Sequence, residues 1–301
     1  MNGGEEAGFR SGFCCFVGRP NAGKSTLTNA LVGSRIVITS PKPQTTRHAV
    51  RGILTRPDAQ LVLVDTPGLH RPRTLLGQRL NDVVRATLAD VDVIAFCVPA
   101  DQKVGPGDRF IAAELANARA PIVAVVTKTD AVSRDRVAEQ LVAVSELGEF
   151  ADIVPVSATA GTQVDVLADV LVSHLPAGPQ LYPDGVTTDN DTEIRIAELI
   201  REAALDGVRD ELPHSIAVTI DEMRPRVDRA DLIDIFATLH VERPSQKGIV
   251  IGHRGARLKQ IGTTARSGIE ALLEQHVHLD LHVAVESDWQ RDPKKLDRLG
   301  F

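Results

Sequence analysis

Gly18-Arg19-Pro20-Asn21-Ala22-Gly23-Lys24-Ser25 is the stretch on which the reading of this chain turns. It fits G-x-x-x-x-G-K-[ST], the spacing of a phosphate-binding loop. Such a loop bends its backbone N–H groups around a phosphate chain and needs glycine where a Cβ would collide. Lys24 would then meet the outer phosphates as a point charge, and the Ser25 hydroxyl would hold Mg²⁺. The flanks have the right character. Residues 13–17, Phe-Cys-Cys-Phe-Val, suit a buried strand, and residues 25–32 open a helix whose N-terminus favours anions.

From there, strand-like and helix-like stretches alternate through residue 175, the pattern of helices covering a mostly parallel sheet. Strands are predicted over 49–55, 60–65, 91–98, 121–126 and 153–156, and helices over 75–88, 108–118, 134–147 and 164–175. The polar residues 1–11 read as a flexible tail, leaving an α/β domain over 12–175. Pro176, Gly178, Pro179, Pro183 and Gly185 then break the rhythm, so 176–192 reads as a linker. A smaller α+β domain is expected over 193–301. Its helix 193–205 offers Ile194, Ala197, Leu199, Ile200 and Ala204 for burial. Strands over 215–221 and 232–241 follow, then a glycine-bearing turn and helix over 247–275, a strand over 277–285 and a short helix over 293–299.

Composition narrows the classes. The 301 residues are 43% hydrophobic and 25% charged, ample for packed cores. Aromatic content of 3% argues against a surface that binds nucleic acid mainly by stacking, and a net charge of -6 confines any such binding to a local patch. Cys14, Cys15 and Cys97 lie in apolar runs without metal spacing and read as reduced core thiols of a cytoplasmic protein. The N-terminus shows no secretory h-region, and no apolar run approaches membrane-spanning length.

Two further motifs follow predicted strands. Asp65-Thr66-Pro67-Gly68 ends an apolar run; the carboxylate can reach Mg²⁺ through water, and the Gly68 N–H can meet a terminal phosphate. Thr127-Lys128-Thr129-Asp130 ends another. Asp130 could accept guanine's two N–H donors, a pair that adenine lacks. Ser157-Ala158-Thr159 after the last strand would add a backbone N–H near the base.

Taken with Pro-Gln-Thr-Thr-Arg-His at 43–48 and Asp-Thr-Pro-Gly-Leu-His at 65–70, these motifs resemble the Era family of small GTPases. The resemblance implies GTP binding through residues 18–26 (Thr26 included), 65–69, Thr127, Lys128 and Asp130, with Ser157 and Ala158 at the base. It implies that 43–48 is the first switch, with Thr45 and Thr46 as candidates for Mg²⁺ and Thr46 preferred. The usual base motif is Asn-Lys-x-Asp. Thr127 replaces that Asn, which predicts loss of an amide that seats guanine and ties down the phosphate loop. Leu69 stands where many small GTPases carry a water-orienting Gln. In several members of the wider class an Asn of the loop holds K⁺, so Asn21 either supplies that ligand or only shapes the loop. Lys24, Asn21, Thr46 and Gly68 are the catalytic candidates.

Ile251-Gly252-His253-Arg254-Gly255 lies after two strands and before a helix, where a KH module clamps a nucleic-acid backbone. Between 243 and 266 the chain carries Arg243, Lys247, Arg254, Arg257, Lys259 and Arg266 and no acidic residue. The RNA-contact candidates are therefore Lys247, Ile251, Gly252, His253, Arg254, Gly255, Arg257, Lys259 and Arg266. The Era family joins its GTPase domain to a type II KH domain, and the likeness runs from residue 13 to 301. The family loop is Gly-Lys-x-Gly; here Arg254 keeps a cation but shifts it by one position. His276, His278 and His282 alternate with apolar residues and read as a solvated strand face rather than a metal site.

The resemblance implies a GTP-hydrolysing switch that binds the 3′ region of small-subunit ribosomal RNA during 30S assembly. It also implies a cytoplasmic location with peripheral stays at the inner face of the membrane, and the chain is expected to act as a monomer. Two rivals are a metabolic P-loop ATPase or kinase, discriminated by Asp130, and an RNA-binding scaffold with little hydrolysis, discriminated by Lys24.

Overall fold

The computed structural model describes residues 8–39, 46–206 and 215–301. Two compact units divide the described residues: the first includes residues 8–37, 46–71 and 79–189, and the second is built mainly from 190–301.

Among the described residues the first unit carries a six-stranded sheet in the order β2-β3-β1-β4-β5-β6. Its strands are β1 Arg10–Gly18, β2 Val50–Thr55, β3 Ala59–Asp65, β4 Val93–Pro99, β5 Ile122–Thr127 and β6 Asp152–Pro155. The helices are α1 Lys24–Val32, α2 Leu75–Ala89 (of this unit from residue 79 on), α3 Pro106–Leu115, α4 Arg134–Ser145 and α5 Val164–Ser173. Every neighbouring pair is parallel except β2 with β3. The short connection between those two is too brief for a crossover, so they form an antiparallel hairpin. Strand alternation builds a core on each face. Cys14 and Phe16 pack with Leu27 of α1 and Leu167 of α5, while Cys15 and Val17 pack with Ile111 of α3 and Val144 of α4. The chain moves outward from β1 in both directions, to β3 and to β4. The C-terminal end of β1 is therefore the switch point at which open α/β sheets bind ligands.

The expected linker is, through Asp189, laid along the first unit. Ser11 N–H donates to Pro176 O at 3.2 Å and Ile53 N–H to Thr187 O at 2.9 Å. The fully buried Gln60 side chain accepts from the Leu181 and Tyr182 N–H groups and donates to Tyr182 O. Pro and Gly here select a strap without regular structure, and a buried amide supplies the bonds that a strand partner would.

The second unit comprises α6 Thr192–Leu205, β7 Ala217–Arg226, β8 Arg229–Val241, α7 Pro244–Ile251, α8 Ala256–Leu273, β9 His276–Val285 and α9 Pro293–Arg298. Its sheet order is β7-β8-β9, antiparallel then parallel. Three details differ from the sequence expectations. The buried stripe of α6 is Ile196, Ile200, Ala203 and Ala204, whereas Ile194 is 42% exposed. β7 continues past Asp221 because a bulge between Ile220 and Glu222 resets the alternation; Pro225 is tolerated on this edge strand. The turn and helix expected over 247–275 resolve into two helices. The first begins with Pro244 at its start, and the Gln246 side chain accepts from the Glu242 and Arg243 N–H groups at 2.8 and 3.0 Å.

Candidate nucleotide site and nucleic-acid interface

The loop after β1 has the backbone its glycines predict. Gly23 has φ +91°, and Asn21 also sits in the left-handed region at φ +62°, where Asn is among the better-tolerated residues. A Cβ on Gly18 would stand 2.6 Å from Cys97 O, and one on Gly68 would stand 2.6 Å from Pro20 N. Glycine therefore lets the loop press against β4 and lets the segment after β3 press against the loop. Lys24 is buried and lies along the loop, its Nζ 3.3 Å from Gly18 O and 3.2 Å from Arg19 O. Burial lowers its pKa, opposed by the carboxylate of Asp65. Thr26 follows Ser25 in the first turn of α1.

Beside Lys24, three oxygen-bearing side chains converge. Asp65 Oδ2 accepts from Ser25 Oγ at 2.8 Å and from Thr46 Oγ1 at 3.1 Å, and the two hydroxyl oxygens are 3.0 Å apart. Asp65 is fully buried; burial pushes its pKa up, while Lys24 and the two hydroxyls pull it down. Its Oδ1 is buried without a hydrogen-bond partner among the described residues. Two hydroxyls and a carboxylate are hard oxygen donors of the kind that suit Mg²⁺, and the unused carboxylate oxygen can take a water. Thr45 lies outside the described residues; Thr46 stands in the cluster. Thr66 Oγ1 donates to Phe16 O at 2.7 Å, and Leu69 N–H donates to Gly18 O at 3.2 Å, so the segment from Thr66 through Pro67 to Leu69 is held against the loop.

At the other end, Thr127 corrects the sequence reading. Its hydroxyl donates to Ala22 O at 2.6 Å, and the residue is only 3% exposed. The shorter side chain keeps the tie to the phosphate loop that the missing Asn had been expected to forfeit. Lys128 takes φ +59° and pairs with Asp101 at 3.0 Å. Asp130 Oδ1 accepts from Ser157 Oγ at 2.5 Å and Oδ2 from Thr159 Oγ1 at 3.1 Å. The Ser157 bond, aided by Thr159, holds this carboxyl below its ordinary pKa and therefore ionised. Ser157 is fixed in turn by its N–H to Thr162 O at 3.0 Å, with Ala158 next in the chain.

In the second unit α7 ends at Ile251, and the turn residues take left-handed φ values: Gly252 +72°, Arg254 +48° and Gly255 +78°. A Cβ on Gly252 would stand 2.7 Å from Arg257 Cβ, so the close approach of the two helices requires this glycine. His253, Arg254, Lys259 and Arg266 are exposed, and Lys247 and Ile251 half-buried. A groove of about 350 Å³ runs past Gly255, Leu258, Lys259, Thr263, Arg266 and Leu281. Arg257 is different from its expected role. Its Nη2 donates to Asp206 O at 2.7 Å and to Ala204 O at 3.4 Å, capping the C-terminus of α6. His276, His278 and His282 are exposed along β9.

Thr159, read from the sequence only as part of the triplet near the base, adds a hydroxyl bond to Asp130. One contact escaped the sequence. Asp108, which bonds Arg19 of the phosphate loop at 2.7 Å, lies far off in sequence with no motif to mark it.

Fold and site define a P-loop GTPase unit followed by a KH unit. A family model described as "50S ribosome-binding GTPase" matches residues 13–128, and a KH domain model matches 211–290. The chain is 66% identical to the GTPase Era of Streptomyces coelicolor, covering 97% of this chain and 95% of the relative. It is 65% identical to the GTPase Era of Mycobacterium avium, covering 97% and 99%. Among solved structures, Era in complex with MgGDPNP and nucleotides 1506–1542 of 16S ribosomal RNA is 35% identical with a TM-score of 0.94, covering 97% and 99%. An Aquifex aeolicus Era variant bound to GDP.AlF4- is 34% identical with a TM-score of 0.92, over the same shares. The chain belongs to the Era family of GTPases.

Proposed function

We propose that this protein binds GTP with Mg²⁺, hydrolyses it to GDP and phosphate, and uses the cycle to govern RNA held by its KH unit. The observation that carries the reading is the convergence of Ser25, Thr46 and Asp65 beside the buried Lys24. Ser25 and Thr46 would hold Mg²⁺ directly and Asp65 through water; bound there, the ion would neutralise charge on the outer phosphates. Lys24 would leave the loop carbonyls for the outer phosphates, and the Gly68 N–H would meet the terminal one. Water is the nucleophile. Leu69, apolar and buried, cannot orient it by hydrogen bonding. Asp130, kept ionised by Ser157 and Thr159, would accept the guanine N–H pair.

The RNA we assign is the 3′ region of small-subunit ribosomal RNA. Full-length likeness to an Era that carries a 16S segment supports this over the large-subunit wording of the broad GTPase family. Its backbone would pass over Gly252–Gly255 and its bases along the groove beside Lys259 and Arg266. K⁺ activation through Asn21 is a separate proposition: faster hydrolysis in K⁺ than in Na⁺ supports it, and equal rates leave Asn21 a shaping residue. Among the described residues no helix is long and apolar enough to cross a membrane. A cytoplasmic, monomeric protein with peripheral membrane stays belongs to the same reading, and sedimentation and vesicle flotation test it. The primary experiment is turnover of GTP against ATP, with Lys24→Ala as control. GTP-selective hydrolysis that Lys24→Ala abolishes supports the proposal; equal turnover of both nucleotides overturns it.

A further inference from the structure

The Arg19–Asp108 contact joins the phosphate loop to a helix that supplies no ligand to the site described above. Asp108 is fully buried in the first turn of α3. Its Oδ1 accepts from Arg19 Nε at 2.7 Å, and its Oδ2 accepts from the Gly105 N–H at 2.8 Å. Both carboxylate oxygens are thus engaged, and the carboxylate is fixed by the helix start it caps. The helix surface is cut to receive the arginine: a Cβ on Gly107 would stand 2.6 Å from Arg19 Cδ. Arg19 Nη2 is buried without a partner among the described residues, and the ion pair with Asp108 helps offset the desolvation of this partly buried guanidinium. On the other side of the same residue, Arg19 O accepts from the Ala22 N–H and from Lys24 Nζ, each at 3.2 Å. A continuous set of bonds therefore runs from the start of α3 through Arg19 to the lysine of the loop.

We propose that Asp108 is a positioning residue for the nucleotide: by gripping Arg19 it fixes the register of the phosphate loop, and hence the grip on the phosphates that GDP and GTP share. The inference rests on the nucleotide-binding reading of the loop. Asp108 touches no phosphate in this role. It acts through Arg19, so losing either partner should have the same consequence for affinity.

The test is a double-mutant cycle with a fluorescent GDP analogue and the full chain, using Asp108→Asn, Arg19→Ala and the double variant. Asp108→Asn keeps the shape and removes the charge. Each single variant should weaken GDP by about tenfold, the scale of one charge-assisted hydrogen bond, chiefly through faster dissociation. The double variant should be no weaker than either single one. Asp108→Asn that lowers the melting temperature but leaves GDP affinity unchanged overturns the proposal, as do single losses that add. Should Asp108→Asn not fold, Arg19→Ala carries the test: a tenfold loss supports the proposal, and unchanged affinity overturns it. Failure of the unaltered protein to bind GDP would instead remove the nucleotide reading itself.

Discussion

Thr127→Val isolates one bond of the nucleotide site. Valine matches threonine in shape, so the change replaces a hydroxyl by a methyl and opens no cavity. It strips the Ala22 carbonyl of a donor at 2.6 Å, in a place where the side chain is only 3% exposed and water cannot readily substitute. Leaving a buried acceptor unsatisfied costs about 1–3 kcal/mol, and the short distance and deep burial place this case near 2 kcal/mol. The bond joins the end of β5 to the loop that precedes α1, so it helps fold the unit and shapes the loop before a nucleotide arrives. The loss should appear in urea unfolding as a fall of about 2 kcal/mol, with the slope unchanged. It should appear again in stopped-flow release of a fluorescent GDP analogue, faster by about tenfold, because an untied loop must be re-ordered at each binding event. Thr127→Asn, whose amide can donate to the same carbonyl, should restore most of both. Unchanged unfolding midpoint and unchanged release rate in Thr127→Val would refute the view that Thr127 takes over the loop-tying role.

Asp130→Asn should weaken guanine nucleotides and admit xanthine nucleotides, whose ring offers an acceptor where guanine offers a donor; competition binding reads this out, and unchanged GTP preference would remove Asp130 from the base site. Ser157→Ala removes the main group that depresses the Asp130 pKa. Ionised Asp130 contributes above its folded pKa and loses that contribution as pH falls through it, so GDP affinity in the variant should begin to fail at a higher pH when titrated between about pH 6 and 4. Lys259→Ala and Arg257→Ala should part company. The first should lower the salt dependence of RNA binding by about one unit of slope, while the second should lower the melting temperature by uncapping α6.

The sequence made the site legible wherever chemistry is concentrated in short spacings. The phosphate loop needs its glycines, Asp65 and Thr127 end apolar strands, and the KH turn needs Gly252; each signal is local and each was read from a few residues. The apolar run 13–17 marked a buried strand, but the division of Cys14 and Phe16 from Cys15 and Val17 between two cores is seen only in the fold. Contacts made across the fold stayed hidden. Nothing near Arg19 announces Asp108, and nothing about Arg257 distinguishes a helix cap from a phosphate ligand until the end of α6 is seen beside it. The replacement of Asn by Thr127 showed that a donor had changed; only the 2.6 Å separation showed that the bond survives. The strap through Asp189 reads as linker because its bonds come from a buried glutamine and strand-edge groups rather than from a repeating pattern.

If the nucleotide governs the RNA, the affinity of the KH unit for RNA must differ between the GTP and GDP states. Fluorescence anisotropy with a labelled RNA matching the 16S segment 1506–1542, titrated with the protein in Mg²⁺ and either a non-hydrolysable GTP analogue or GDP, measures it directly. Binding should be distinctly tighter with the GTP analogue and fall to the GDP level on a charge-removing change at Arg254 and Lys259. Equal affinity in the two nucleotide states would contradict this.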